Sequence, residues 1–486
     1  MPNSLLWFRY DLRVHDNETL VQAAEHGPVL PVYCFDPRHY RMLPQGFRKT
    51  DAKRVKFLLE SLIDLRLKLS ALGSGLLVVV GKPEEILPGL CAEHAIDRVF
   101  VQAEITKEET DAERAVAAAL PAGTELDRVW GRTLYHVEDA PFGPDAAPLT
   151  FKTFRTRLTE AAEVRPVFEV PDRLEAVSIE RYGELPSYAE LGFTEEELRH
   201  IDTTAFPGGE TAALERLRYY TYDTQLLNNY KWTRNRSLGP DYSSKFSAWL
   251  AVGCLSPRQV YWTVKDYEQT LKKNISTWWL IFEMLWRDYF QWQGLRHGNK
   301  IFFPSGIKDR EVEWLEDRTL FERWCAGRTG IPFVDAHMRE LLQTGFMSNR
   351  GRVNCASFLS RDYRIDWTWG AAWFESHLLD YDVCSNWLNW NTQATEFYYT
   401  NPLNQGLRYD TKGEYVHHWL PELAHIPGPA VHAPWAAAEK IPESYPEPVA
   451  VYDKWKRSMT TIGKVAAGEP MPKRRGRKRK TSSKER

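Results

Sequence analysis

The chain has 486 residues, 43% of them hydrophobic and 26% charged, the balance of a folded protein with two or three domains rather than of a disordered one. No stretch approaches the roughly 20 consecutive apolar residues of a membrane span, and Met1-Pro2-Asn3-Ser4 leads straight into a strand-like run with no secretion signal, so an intracellular protein is expected. The net charge of −2 conceals ten Lys/Arg against two Asp/Glu between Lys464 and Arg486, which leaves about −10 on the body and excludes long-range attraction to nucleic acid except through a local basic patch.

In chain order, Leu5-Leu6-Trp7-Phe8 reads as a buried strand and is followed by a helix capped near Asp16. Strands are then predicted at Val29–Phe35, Gly75–Val80, Arg98–Val101 and Leu126–Trp130, with helices at Asp51–Leu72, Glu84–His94 and Glu108–Leu120 between them. Fully apolar strands spaced by helices predict a doubly wound parallel sheet over residues 1–134. No G-x-G-x-x-G follows the first strand, so a dinucleotide site there is unsupported. Residues 135–209 are rich in proline and read as a connector wrapped over the surface, with short helices in it.

From 210 to 460 the signals are helical: Thr211–Tyr222, Pro257–Leu271, Ser276–His297, Pro332–Thr344, Asn354–Tyr363 and Gly370–Leu379. Residues 461–486 form a basic tail, either a solvated disordered arm or a nuclear address or nucleic-acid arm. The cysteines at 34, 91, 254, 325, 355 and 384 form no C-x-x-C pair and read as buried thiols in a reducing compartment, with no metal site.

Four clusters in the helical half carry chemistry. Asp241-Tyr242-Ser243-Ser244-Lys245-Phe246-Ser247 puts hydroxyls and a cation just before a helix, either a phosphate cradle or a capping loop. On the helix through Trp286-Arg287-Asp288-Tyr289-Phe290, Glu283 shares a face with Trp286 and Arg287. The nine residues before Arg287 are apolar apart from Glu283 itself, so these charges need a partner or a ligand. In Thr344-Gly345-Phe346-Met347-Ser348-Asn349-Arg350-Gly351-Arg352, Asn349 and Arg352 are aimed together. Asp380-Tyr381-Asp382-Val383-Cys384-Ser385-Asn386-Trp387 lacks the further ligands of a hard-cation site, and Arg352 or Arg287 could pair with its carboxylates.

Three of these motifs, with Trp7-Phe8-Arg9-Tyr10-Asp11-Leu12-Arg13, resemble the photolyase/cryptochrome family, and in particular its cryptochrome DASH group, from about residue 4 to 455. The resemblance implies an antenna-type α/β domain and a helical domain binding FAD. Tyr230, Ser243, Ser244, Lys245, Phe246 and Ser247 would hold the FAD phosphates, and Arg287, Arg352, Asp380 and Asp382 would line the cofactor. Asn386 would face flavin N5, where an amide can hydrogen-bond but cannot serve as an acid.

By the same likeness, Trp390, Trp367 and Trp314 form an electron chain, and Glu283, Trp286 and Asn349 meet a cyclobutane pyrimidine dimer. Glu104 would bind a 5,10-methenyltetrahydrofolate antenna. The implied activity is light-driven dimer repair, chiefly in single-stranded DNA, by a monomer working in the cytoplasm or, through the basic tail, the nucleus. The alternative is a blue-light signalling flavoprotein that binds DNA or RNA without repair. Thr392, Val353 and Leu388 depart from the family pattern, as does a shortened loop after Thr392, and they weaken the expectation of a second stacking face. Met347-Ser348 stands where enzymes for six-four photoproducts carry histidine, which excludes that substrate.

Overall fold

The computed structural model describes residues 2–199, 201–396, 399–436 and 440–471; the basic run from 472 onward lies outside the described residues. In the first half, β1 (Asn3–Phe8), β2 (Val29–Phe35), β3 (Leu77–Val80), β4 (Ile96–Gln102) and β5 (Glu125–Val129) form a sheet in the order β3-β2-β1-β4-β5. Every pairing in it is parallel. The intervening helices are α1 (Glu18–His26), α2 (Ala52–Ala71), α3 (Pro83–Glu93) and α4 (Lys107–Ala119). α1 is capped by Asn17, whose side chain accepts from Leu20, and not by Asp16. Asp16 instead takes a left-handed φ of 45° and accepts a charge-assisted bond from Arg258 Nε at 3.1 Å.

Alternation along β1 divides the sheet between two cores. Leu5 and Trp7 pack with Leu30, Val32 and Val101 on one face. Leu6 and Phe8 join the other, and that core continues without a break into the helical half, through Trp249, Leu280 and Trp292. The sheet is therefore covered on both faces, as a parallel sheet requires.

The connector is more deeply engaged than a surface wrap. It holds α5 (Phe151–Ala161), buries Phe142, Phe154 and Leu174 in the shared core, and makes a parallel bridge from Ala176 to Val29. The helical half then contains α6 (Glu210–Arg218), α7 (Tyr230–Thr233), α8 (Ser247–Val252), α9 (Pro257–Thr270) and α10 (Ile275–His297). It continues with α11 (Arg318–Cys325), α12 (Pro332–Thr344), α13 (Asn349–Ser357), α14 (Trp367–His377) and α15 (Val383–Asn391). Further helices, α16 (Pro402–Tyr409), α17 (Glu414–Trp419) and α18 (Lys456–Ala466), close the chain.

The helix predicted over Asn354–Tyr363 starts five residues earlier, where Ser348 caps it by accepting from Gly351 N–H at 3.1 Å. Gly351, within the first turn of this helix, serves close approach: a Cβ there would lie 2.1 Å from the His337 ring of α12. All six cysteines are free and buried. Among the described residues there is no cluster fit to hold a metal and no helix long and apolar enough to cross a membrane.

Candidate functional site

A cavity of about 310 Å³ opens between α8, α10, α13, α14 and α15 and the loop before α8. That loop is braced from behind by Arg216 of α6, which pairs with Asp241 at 3.0 Å and donates to the carbonyls of Ser243 and Ser244. The bracing turns Ser243, Ser244, Lys245, Phe246 and Ser247 toward the cavity together with Tyr230. Lys245 adopts a left-handed φ of 64°, and its ammonium sits 3.4 Å from the centre of the Tyr242 ring and 4.3 Å from that of Phe346. Burial pushes it down to about 7.

The opposite wall comes from α10, α13 and α15. Glu283 and Arg287, one turn apart on α10, both line the cavity but do not pair with each other. Glu283 pairs with the Arg234 guanidinium at 2.8 Å and accepts from the Trp279 indole at 3.0 Å, and burial raises its carboxyl above the ordinary range. Arg287 donates to the backbone carbonyls of Arg132 and Leu250. From α13, Arg352 places one nitrogen 2.9 and 2.8 Å from the two oxygens of Asp380, while Asn349 stays exposed at the mouth.

Asp382 caps α15 by accepting from Ser385 N–H at 2.8 Å. That fixes Asn386 and Trp390, at i and i+4, on the cavity side of the helix. Asn386 donates its amide hydrogen to the Ala371 carbonyl at 3.0 Å, which leaves its side-chain oxygen for the cavity.

Residues 4–172 match the DNA photolyase family, and residues 279–463 match the FAD binding domain of DNA photolyase. A cryptochrome DASH from Gloeobacter violaceus is 45% identical over 491 residues, covering 98% of both chains. The chain belongs to the cryptochrome DASH group of the photolyase/cryptochrome family. A cryptochrome DASH from Xenopus laevis is also 45% identical, over 92% of this chain and 90% of its own length. The crystal structure of a Synechocystis cryptochrome superposes with a TM-score of 0.89 at 43% identity, over 95% of this chain and 99% of that one. A class III photolyase from Agrobacterium tumefaciens gives 0.81 at 27% identity, over 96% and 98%.

The family's cofactor is FAD, and the cavity's chemistry fits it. Lys245 is buried with no carboxylate in ion-pair range among the described residues, as a cation awaiting an anionic ligand would be. The indole nitrogen of Trp390 and the hydroxyl of Tyr242 are likewise buried without a partner.

Four expectations change. Asp382 pairs with neither Arg352 nor Arg287 but with Arg132, just after β5, at 2.9 Å, and with Gln291. Glu104 is buried against the same Arg132 and lines neither this cavity nor the one between the sheet and the helical half. Trp286 does not line the site, because Phe151 of α5 stacks on it at 3.7 Å and 11°. Thr392 bonds back to the Leu388 carbonyl at 2.8 Å and Leu388 packs away beside Cys384, while Val353 and Gln393 face the cavity.

Trp314 and Trp367 donate to one acceptor, the Pro304 carbonyl, at 3.2 and 3.0 Å. Trp390 packs on Gly370, one turn along α14 from Trp367; a Cβ on Gly370 would lie 2.3 Å from the Trp390 ring. The sequence reading missed Arg132, Arg216, Arg234 and Gln291. Arg234 carries a signal, four residues after Tyr230, and the other three carry none.

A second cavity of about 340 Å³ lies between the sheet and the helical half, lined among others by Tyr10, His39, Lys49, Glu108, Tyr381 and Trp387. Lys49 there pairs with Glu108 at 2.9 Å and Glu375 at 2.6 Å.

Proposed function

We propose that this protein repairs cyclobutane pyrimidine dimers under light, chiefly in single-stranded DNA. FAD, when bound, supplies light absorption and one-electron donation. Tyr230, the Ser243–Ser247 loop and Lys245 would hold its phosphates, Arg287, Arg352, Asp380 and Asp382 its flavin and ribityl parts, and the Asn386 oxygen would meet the reactive edge. The observation that carries the reading is Glu283, a carboxyl raised by burial, set in the same cavity wall as Asn386 and Trp390 and open toward Asn349 at the mouth. In its protonated form that carboxyl would donate to a pyrimidine carbonyl and stabilise negative charge as it develops on the base.

The rim fits a single strand. Trp232 is 68% exposed, and Lys231 lies 4.9 Å from its ring and 4.8 Å from that of Trp279. Aromatic faces interleaved with cations take stacked bases and phosphates without regard to sequence. Presenting a dimer from a single strand also avoids most of the few kcal/mol that flipping from a duplex costs. Trp390, Trp367 and Trp314 provide a route for electrons between the surface and the cavity wall. A folate antenna, which the resemblance assigns to Glu104, would have room in the second cavity.

The second reading is a blue-light signalling flavoprotein that binds DNA or RNA without turnover. The Phe151–Trp286 stack favours it, because it covers one face of the tryptophan expected to pack on the lesion. The test is blue illumination of the fully reduced protein with an oligonucleotide carrying one thymine dimer. Repair gives light-dependent loss of dimer and none in darkness. Intact dimer after illumination, with the strand still bound, rejects repair and leaves signalling.

A further inference from the structure

The Arg132 side chain lies between two carboxylates contributed by opposite halves of the molecule. Arg132 follows β5; one of its nitrogens pairs with Glu104, just after β4, and another with Asp382, the cap of α15, at 2.9 Å. The three side chains are 4%, 1% and 6% exposed. Gln291 of α10 donates to both Asp382 oxygens at 2.8 and 3.0 Å, and the Arg132 carbonyl accepts from Arg287. Asp382 and Arg287 line the flavin cavity, whereas Glu104 and Arg132 do not.

We propose that Arg132 is a positioning residue that couples Glu104 in the α/β half to Asp382 at the flavin, so that this bridge sets the potential the cofactor experiences. The inference goes beyond the choice of substrate and rests on FAD occupying this cavity. One guanidinium divided between two carboxylates compensates each of them in part. In a sealed interior, charges separated by a few ångströms act on one another with little screening. Without Glu104, the Arg132 charge falls to Asp382 alone, the surroundings of the cofactor become more positive and electron uptake is favoured. Without Arg132, two carboxylates remain with less compensation, and electron uptake is disfavoured. A loss of packing alone gives no such reversal of sign.

The experiment is a spectroelectrochemical titration of bound FAD in the intact holoprotein. Glu104→Gln keeps the shape and a hydrogen-bond acceptor, and it should shift the midpoint to more positive potential; Arg132→Gln should shift it to more negative potential. Glu113→Gln is the control, since this equally buried carboxylate of the same half pairs with Arg9 and Arg128. It should leave the midpoint where it is. An unchanged or more negative midpoint in Glu104→Gln, or an equal shift in Glu113→Gln, overturns the proposal; if Arg132→Gln does not fold, Glu104→Gln decides alone. Asp380→Asn tells the two failures apart. A shift there with none in Glu104→Gln rejects the bridge, and no shift in either rejects the placement of the flavin and the bridge with it.

Discussion

Lys245 shows how much a single side chain in this site depends on its ligand. Its ammonium faces two rings, and burial brings it down to about 7, with the Glu340 and Asp380 carboxylates pulling weakly the other way and Arg216 and Arg352 adding to the fall. A phosphate against it raises that value, so FAD binding takes up a proton once the pH exceeds the ligand-free value. The sign follows: affinity is complete below pH 7 and falls as pH rises, by about tenfold per unit until the bound value is reached. Fluorescence titration of the apoprotein with FAD between pH 6 and 9 should show this slope, and Lys245→Met should bind more weakly at pH 6 and show none. At this scale the sequence was legible where partners lie on named motifs, as with Arg352 and Asp380. It was silent on Arg132, because a partner 250 positions from Asp382 and outside any motif leaves no spacing to read.

α15 is the element on which the site turns. Its sequence, VCSNWLNWN, has too little periodic apolar pattern to read as a helix, and what starts it is a cap, Asp382 accepting from Ser385. The cap orients Asn386 and Trp390 on one face, so a single short helix presents to the cavity both the amide proposed to meet the cofactor and the ring proposed to begin the electron route. α14 is the counterpart, and Gly370 is the point at which the two helices close on the Trp390 ring. Trp390→Phe should retain FAD and lose photoreduction, read as bleaching of the flavin bands under blue light with an external reductant; unchanged bleaching removes Trp390 from the route. Gly370→Ala should slow the same reaction, because the ring has to move. The helices predicted from apolar periodicity lie within a few residues of their observed ends, and the exceptions are those governed by caps and close contacts.

Across the whole molecule, the two halves are joined by a common core and by buried polar staples. Asp288 of α10 is one of these: its two oxygens accept from the N–H groups of Leu134 and Tyr135 at 2.9 and 3.1 Å, and so pin the start of the connector. Asp288→Ala leaves two buried donors unmet at about 1–3 kcal/mol each. The urea midpoint should fall accordingly, while an unchanged midpoint shows that water replaces the carboxylate. The order of sheet, connector and helices was legible because apolar runs and proline density change along the chain. The fusion of the cores was not, since a residue's sequence neighbours do not reveal which layer will cover it.

Tyr381 lines the flavin cavity and the second cavity alike, with its hydroxyl accepting from Trp387 at 3.2 Å and the Arg54 guanidinium 4.7 Å from its ring. The two chambers are therefore neighbouring rooms that share Tyr381 as one panel of their walls. Any guest in one rests against the same panel as its neighbour, and a tilt of that panel that makes space on one side takes it from the other.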